Sequence, residues 1–289
     1  MSLHKNNRRL PFGLFSDRLP AWRRGFSAYW QSQPYVGRLS FSADLVWLTV
    51  LIATPIALWT AGPQTFPLLA TLGVLAQTGA SLLALAQRWR VSRILGALAG
   101  IFLLTLAVEA LGAATGIPFG RYQYTAALQP QVAGVPLLIP LAWAMMLFPA
   151  WGVTEAILLR RRPRLGRAYR LVFAGTAGLV FTAWDLYLDP QMVAHGLWVW
   201  DQPGGYFGIP WSNYLGWWLT ATLISWLLQP GELPRGPLIW IYALTWIFQT
   251  IGLGIFWGLP GPALAGFIGM GLPVWLAWRE ESRRWAAAT

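Results

Sequence analysis

The chain has 289 residues, of which 56% are hydrophobic and only 11% charged, with 20 tryptophans, a net charge of +11 and a mean hydropathy of +0.49. Soluble domains carry roughly 25% charged residues, so this composition excludes an ordinary water-soluble globule. The absence of cysteine excludes disulfides, thiolate catalysis, iron–sulfur clusters and cysteine-based zinc sites, and two histidines, His4 and His195, are too few for a histidine-rich metal or haem site.

Residues 1–43 hold no apolar run of signal-peptide length followed by a small-residue cleavage site. They read as a basic cytoplasmic arm whose Phe12, Phe15, Trp22, Phe26, Tyr29 and Trp30 suit a membrane surface. Eight apolar segments follow, near 44–60, 66–87, 94–115, 135–158, 171–188, 213–228, 237–257 and 261–278. Each approaches the ~20 residues that a bilayer requires. The predicted fold is an all-α polytopic transmembrane helix bundle of about eight spans, occupying 44–279 as one catalytic domain, with a short cytoplasmic tail at 280–289.

The connections alternate in charge. The arm, the loop with Arg88, Arg90 and Arg93, the loop from Arg160 to Arg170, Arg235 and the tail together hold 20 of the 21 basic residues, and the opposite side holds only Arg121. The positive-inside rule then places both termini in the cytoplasm of a multi-pass protein of the cell membrane. The charge reads as a topology signal with attraction to anionic membrane lipids, not as a nucleic-acid footprint. Reporter fusions after Thr289 and at Arg164 are expected to report the cytoplasmic side and a fusion near Gly204 the outside. An external C-terminus would break the eight-span topology.

The acids pick out the functional region. Asp17, Glu232, Glu280 and Glu281 fall in cytoplasmic segments as solvated charges, and Asp44 and Glu155 fall at cytoplasmic span ends, where capping or pairing suits them. Glu109, Asp185, Asp189 and Asp201 fall toward the other face together with Arg121. Acids beside a span are costly and are kept mainly for chemistry, transport or pairing. The stretch 181–218 sets three of them and His195 among six tryptophans, which points to a reaction on a long apolar substrate. Asp185 and Asp189 lie i, i+4, on one helix face about 5–6 Å apart at Cβ. Pro190 disfavours helix at Asp189 and predicts a span ending there, with the carboxylate against the negative end of the helix dipole. Burial and the like-charged neighbour favour a carboxyl that keeps its proton and serves as a general acid, the alternative being an ion pair with Arg121.

A short echo connects the other two acids. Glu109 precedes Gly116-Ile117-Pro118-Phe119 and Tyr122 at the same spacing at which Asp201 precedes Gly208-Ile209-Pro210-Trp211 and Tyr214. Both connections are broken by proline, as suits irregular backbone lining a protein-enclosed cavity. Asp201 is equally suited to capping its own Gly-rich turn, and His195 to a structural role. Trp59, Trp240 and Trp278 read as interfacial belt residues, whereas Trp184, Trp198, Trp200, Trp211, Trp217 and Trp218 cluster near the acids.

EALGAATGIPFGRYQYT and TAWDLYLDPQMVAHGLWVWDQPGGYFGIPWSNYLGWW resemble the integral-membrane carotenoid biosynthesis proteins of the CruF type, carotenoid 1',2'-hydratases of bacteria and haloarchaea. The resemblance covers roughly residues 40 to 280. It implies addition of water across the terminal C1'=C2' double bond of an acyclic ψ-end, as in lycopene, γ-carotene or a C50 precursor, without redox cofactor or metal. Its partners would be the carotenoid, water, membrane lipids and other membrane enzymes of the pathway. Protonating such an alkene calls for a general acid in a dry site, an aromatic wall for the tertiary cation and one positioned water. Asp185 is the leading donor, with Asp189 or Glu109 as water-orienting base, Arg121 holding one carboxylate ionised, and Asp201 as a further acid. Tyr122, Tyr124, Trp184, Trp198 and Trp200 would line the substrate site, with Trp211, His195, Asn213 and Tyr214 completing it. Two rival classes are a Mg²⁺-dependent prenyltransferase, for which a single DLYLD and one nearby arginine fall short of the paired acidic motifs required, and a proton-coupled transporter, whose acids belong at midplane.

Overall fold

The computed structural model describes residues 35–288, so the arm's first 34 residues lie outside it. Eight helices carry the fold: α1 Tyr35–Ala61, α2 Phe66–Ala86, α3 Val91–Thr115, α4 Leu138–Leu158, α5 Tyr169–Ala194, α6 Trp211–Leu228, α7 Arg235–Ile251 and α8 Pro260–Ala288. They coincide with the eight apolar segments of the sequence. Among the described residues α1 is already helical at Tyr35, and α8 continues to Ala288.

Seven helical segments are long and apolar enough to cross a membrane. The exception is α6, whose 18 residues include Asn213, Tyr214, two serines, two threonines and four tryptophans, so it is less apolar than the others. Helix α6 is held by close approach to α5. A Cβ at Gly178 would stand 2.3 Å from Thr222 Oγ1 and 2.8 Å from the Trp218 carbonyl oxygen.

Helix α4 is the central post. Apart from Thr154 and Glu155 it is apolar on every side, as suits a helix buried all round, and all its residues from Ala142 to Leu158 are buried. Helix α1 lies at the other extreme: it packs along α2, buries only Ser40, Asp44 and Trp47 among its described residues, and leaves Leu45 and Val46 exposed on an apolar surface.

Proline does not interrupt the buried helices, because another side chain takes each carbonyl it frees. Pro190 lies inside α5, which runs on to Ala194, and the carbonyl of Leu186 accepts from Tyr206 Oη at 2.9 Å. The expected end of the span at Asp189 is therefore overturned, and with it the argument from the helix dipole, since Asp189 sits five residues inside the end. Pro149 in α4 is treated the same way: the Met145 carbonyl accepts from Ser81 Oγ at 3.1 Å.

The two ends of the bundle differ. At the arginine-rich end, Trp89 Nε1 donates to the Glu232 carbonyl at 2.7 Å, and Arg235 faces Glu281 at 2.7 Å and Glu155 at 3.8 Å. At the other end, β1 (Tyr122–Tyr124) pairs antiparallel with β4 (Trp198–Trp200), while β2 (Gln131–Val132) and β3 (Val135–Pro136) form a small hairpin. The β1–β4 register places Tyr122 opposite Trp200 and Tyr124 opposite Trp198. Strand alternation then turns these four rings to one face, inward, while Gln123 and Val199 stay exposed.

Candidate active site

Four helices and the β1–β4 pair bring three acids together beneath that aromatic face. Glu109 comes from α3, Asp185 and Asp189 from α5, Asn213 from α6 and Trp143 from α4, and all are at least 98% buried. No ion pair among the described residues involves the three acids; their partners are neutral donors.

Glu109 only accepts. Its Oε2 takes the hydroxyls of Tyr122 at 2.5 Å and Tyr124 at 2.9 Å, and its Oε1 takes Trp143 Nε1–H at 3.1 Å. Burial first, and then the adjacent Glu109 carboxyl, push both phenols above their ordinary range, so Tyr122 and Tyr124 keep their protons and act as donors. The aspartates form a pair joined by one amide. Asn213 Nδ2 donates to Asp185 Oδ2 at 2.8 Å and also to Asp189 Oδ2, while Trp198 Nε1 donates to Asp189 Oδ1 at 3.1 Å. Asp185 Oδ1 is buried with no hydrogen-bond partner.

These groups enclose a cavity of about 20 Å³ lined by Glu109, Asp189, Asn213, Tyr122 and Tyr124 together with the rings of Trp143, Trp198, Trp200 and Trp217. That is room for about one water, with the polar partners a buried water requires. Trp143 and Trp217 stack at 4.6 Å, and Phe181 lies 4.8 Å from the first and 5.4 Å from the second, so one side of the site is an aromatic wall. Ile139, Ala142, Leu188 and Trp198 also line a second cavity of about 460 Å³, and so form the partition between the two. The large cavity runs between α1, α2, α4, α5 and α7, is almost wholly apolar, and has the loosely packed α1 as its outer wall. Its volume lies within the ~300–1,000 Å³ usual for ligand cavities.

Several residues singled out in the sequence sit elsewhere. Arg121 is exposed and has no ion pair among the described residues, so it does not hold a carboxylate ionised. Asp201 is exposed in its turn, where its backbone N–H donates to the Arg121 carbonyl at 3.0 Å. The echo holds in the backbone only at its glycines, Gly116 and Gly208, with φ of 82° and 88°, where a side chain would be strained; the Ile117–Pro118 bond is cis and Ile209–Pro210 is not. The side chains diverge, because Phe119 is buried at the site whereas Trp211 is 63% exposed against Tyr206 and Tyr214. Tyr214 is buried with an unpartnered hydroxyl. His195 stacks on Phe66 at 3.6 Å beside Trp257, and burial holds its imidazole below the usual range and therefore neutral. Trp184 lines the large cavity, not the small one.

Sequence reasoning missed Trp143 and Phe119. Trp143 did carry a signal, since it lies inside an apolar segment and not at its end, where interfacial tryptophans belong. Phe119 was visible only as the aromatic of the echo.

The family model described as "Carotenoid biosynthesis protein" matches residues 66–273. A bisanhydrobacterioruberin hydratase of Haloarcula japonica is 32% identical over 136 residues, covering 47% of this chain and 44% of the relative. The matched region thus spans less than half the length of that relative. No solved structure matches the chain.

Proposed function

Because the chain belongs to the carotenoid biosynthesis protein family, we propose that it is a carotenoid hydratase of the cell membrane, adding water across the terminal C1'=C2' double bond of an acyclic ψ-end. The observation that carries this reading is the pair of adjoining cavities. One has the size and apolar lining for a polyene; the other holds about one water among carboxyl groups, and they share a wall. The relative is named a hydratase, and its name agrees with the same chemistry.

In this mechanism the polyene lies in the large cavity and its terminal double bond reaches the partition. The aspartate pair supplies a proton to C2', leaving a tertiary cation at C1'. Asp189 is the member that lines the small cavity, so delivery is assigned to it, and Asp185 serves as the second carboxyl behind Asn213. The sequence alone favours Asp185; the change rests on which carboxyl borders the water-sized space. The rings of Trp143 and Trp217, backed by Phe181, face the cation, and such faces contribute ~2 kcal/mol or more when desolvated. Water in the small cavity then bonds to C1' and gives its proton to Glu109, whose three donors hold it as an acceptor. Returning that proton to the aspartates completes the cycle, with one water consumed and no change of oxidation state overall.

Expression in a lycopene-making host should yield pigments heavier by one water, with the hydroxyl on the terminal tertiary carbon. Purified protein turning over in heavy water should place one non-exchangeable deuterium at C2'. Unchanged lycopene in a host that demonstrably contains the protein would overturn the assignment.

A further inference from the structure

The proposed hydration consumes one water per turnover, and most of what surrounds the small cavity is closed to water. Toward the arginine-rich end lies α4, buried at every residue from Ala142 to Leu158. Beside the cavity stand the buried, stacked rings of Trp143, Trp217 and Phe181. Toward the large cavity lies the partition of Ile139, Ala142, Leu188 and Trp198, behind which the polyene lies in the proposed mechanism. At the end away from the arginines the cover is the β1–β4 pair, and it is one layer thick. Tyr122, Tyr124, Trp198 and Trp200 line the cavity, while Gln123 and Val199 between them are exposed on the outer face.

The two strands are tied to different helices. Tyr122 and Tyr124 of β1 donate to Glu109 of α3, and Trp198 of β4 donates to Asp189 of α5. The seam between the strands therefore runs above the gap between these two acids, where the water-sized space lies. A short backbone ladder crosses it, flanked by Asp201 N–H to the Arg121 carbonyl and Thr125 N–H to the Leu197 carbonyl, each at 3.0 Å. Two ring contacts fill it, Tyr122 with Trp200 at 5.1 Å and Tyr124 with Trp198 at 5.7 Å. A strand pair this short is marginally stable by itself. Each strand is entered through a glycine two residues earlier, Gly120 at φ 109° and Gly196 at φ 68°, and such element-terminal positions absorb a change of chain direction. We propose that the reacting water enters through this seam: β1 and β4 part, each keeping its bonds to its own acid, and close behind one molecule. Glu109 and Asp189 hold their donors throughout, so the acids stay in place while their cover moves. The inference rests on the proposed hydration, since it takes the small cavity to be the water's.

The chain has no cysteine, so a disulfide can be placed across the seam without competing thiols. Gln123 and Val199 are partners in the register. Bonded pairs lie two residues to either side, at Arg121 with Asp201 and Thr125 with Leu197. Gln123 and Val199 are therefore a hydrogen-bonded pair as well, with Cα atoms ~5.5 Å apart, within reach of a disulfide. The double variant Gln123→Cys with Val199→Cys is compared bridged and reduced, as the full chain in detergent, with bridging scored by mass; dibromobimane bridges the same thiols where oxidation is incomplete. Bridging is expected to lower kcat for lycopene hydration about 10-fold or more, by holding shut the step that admits water. Reducing the disulfide should restore the rate, and each single-cysteine variant should be insensitive to oxidant. In parallel, exchange of the Trp143 indole N–H in heavy water is followed by NMR, its signal identified by loss in Trp143→Phe. Trp143 lines the small cavity and not the large one, so its exchange reports water reaching the acids whether or not catalysis occurs. Bridging should slow that exchange by a similar factor. Equal kcat, or equal exchange, in the bridged and reduced protein would overturn the seam as the entrance. Slowed exchange in a protein whose wild type leaves lycopene unchanged would keep the entrance and remove only the hydration.

Discussion

Asp189→Asn is expected to lower hydration by ~10²–10⁴-fold, the loss typical of removing a general acid, while the polyene still binds. The substitution keeps the size of the side chain and removes the transferable proton from the carboxyl that borders the water-sized cavity. It also has a structural cost. Asp189 accepts from Trp198 Nε1 at one oxygen and from Asn213 Nδ2 at the other, and an amide can accept at only one. One donor is stranded, so stability should fall by about 1–3 kcal/mol, and activity must be scored on folded protein. Asp185→Asn is the clean comparison. Asp185 receives one donor, and its other oxygen has no partner, so the amide fits without stranding a neighbour. That variant should fold as the wild type does and lose less activity. A larger loss from Asp185→Asn than from Asp189→Asn, measured as kcat with product deuteration at C2', would return the donor role to Asp185.

Glu109→Gln should be nearly as damaging, ~10²-fold or more in turnover for loss of a general base. Tyr122 and Tyr124 can still donate to the amide oxygen, but the amide nitrogen then faces Trp143 Nε1–H, donor against donor. The aromatic wall is attached at that indole, so the substitution disturbs base and wall together. Trp143→Phe separates the two: it keeps a smaller aromatic ring beside Trp217 and Phe181 and removes the donor, at the cost of some buried volume. It is expected to lose much less than Glu109→Gln. Equal losses from the two substitutions would make Glu109 a support for Trp143 and not the group that takes the water's proton.

Asp185, Asp189, Glu109, Tyr122 and Tyr124 were legible as a site because each breaks a strong local pattern. A carboxyl within or beside an apolar segment conflicts with its surroundings, and two of them at i, i+4 share a helix face whatever the helix packs against. Arg121 and Asp201 broke the pattern too, but membrane sidedness locates a residue only to one end of the bundle. Whether it points into the bundle or out of it depends on turn geometry, and here both point out. Pro190 misled for a related reason. The freed Leu186 carbonyl is satisfied by Tyr206, 16 residues beyond Pro190 on the connection that follows α5, and no local rule anticipates that partner.

The sequence by itself determined the helix count and approximate bounds, the gathering of basic residues at one end, and the acids that mark the candidate site of an apolar protein. These follow from hydropathy, helical periodicity and the cost of charge in a low-dielectric medium, all of which act along the chain. The tertiary structure alone decided the pairing of β1 with β4, the joining of Asp185 to Asp189 through Asn213, the recruitment of Trp143 to Glu109, and the partition between a water-sized cavity and a large apolar one. Each of these is a contact between distant segments, fixed by how eight helices pack around α4, and packing depends on the shapes of surfaces that meet only once the chain has folded.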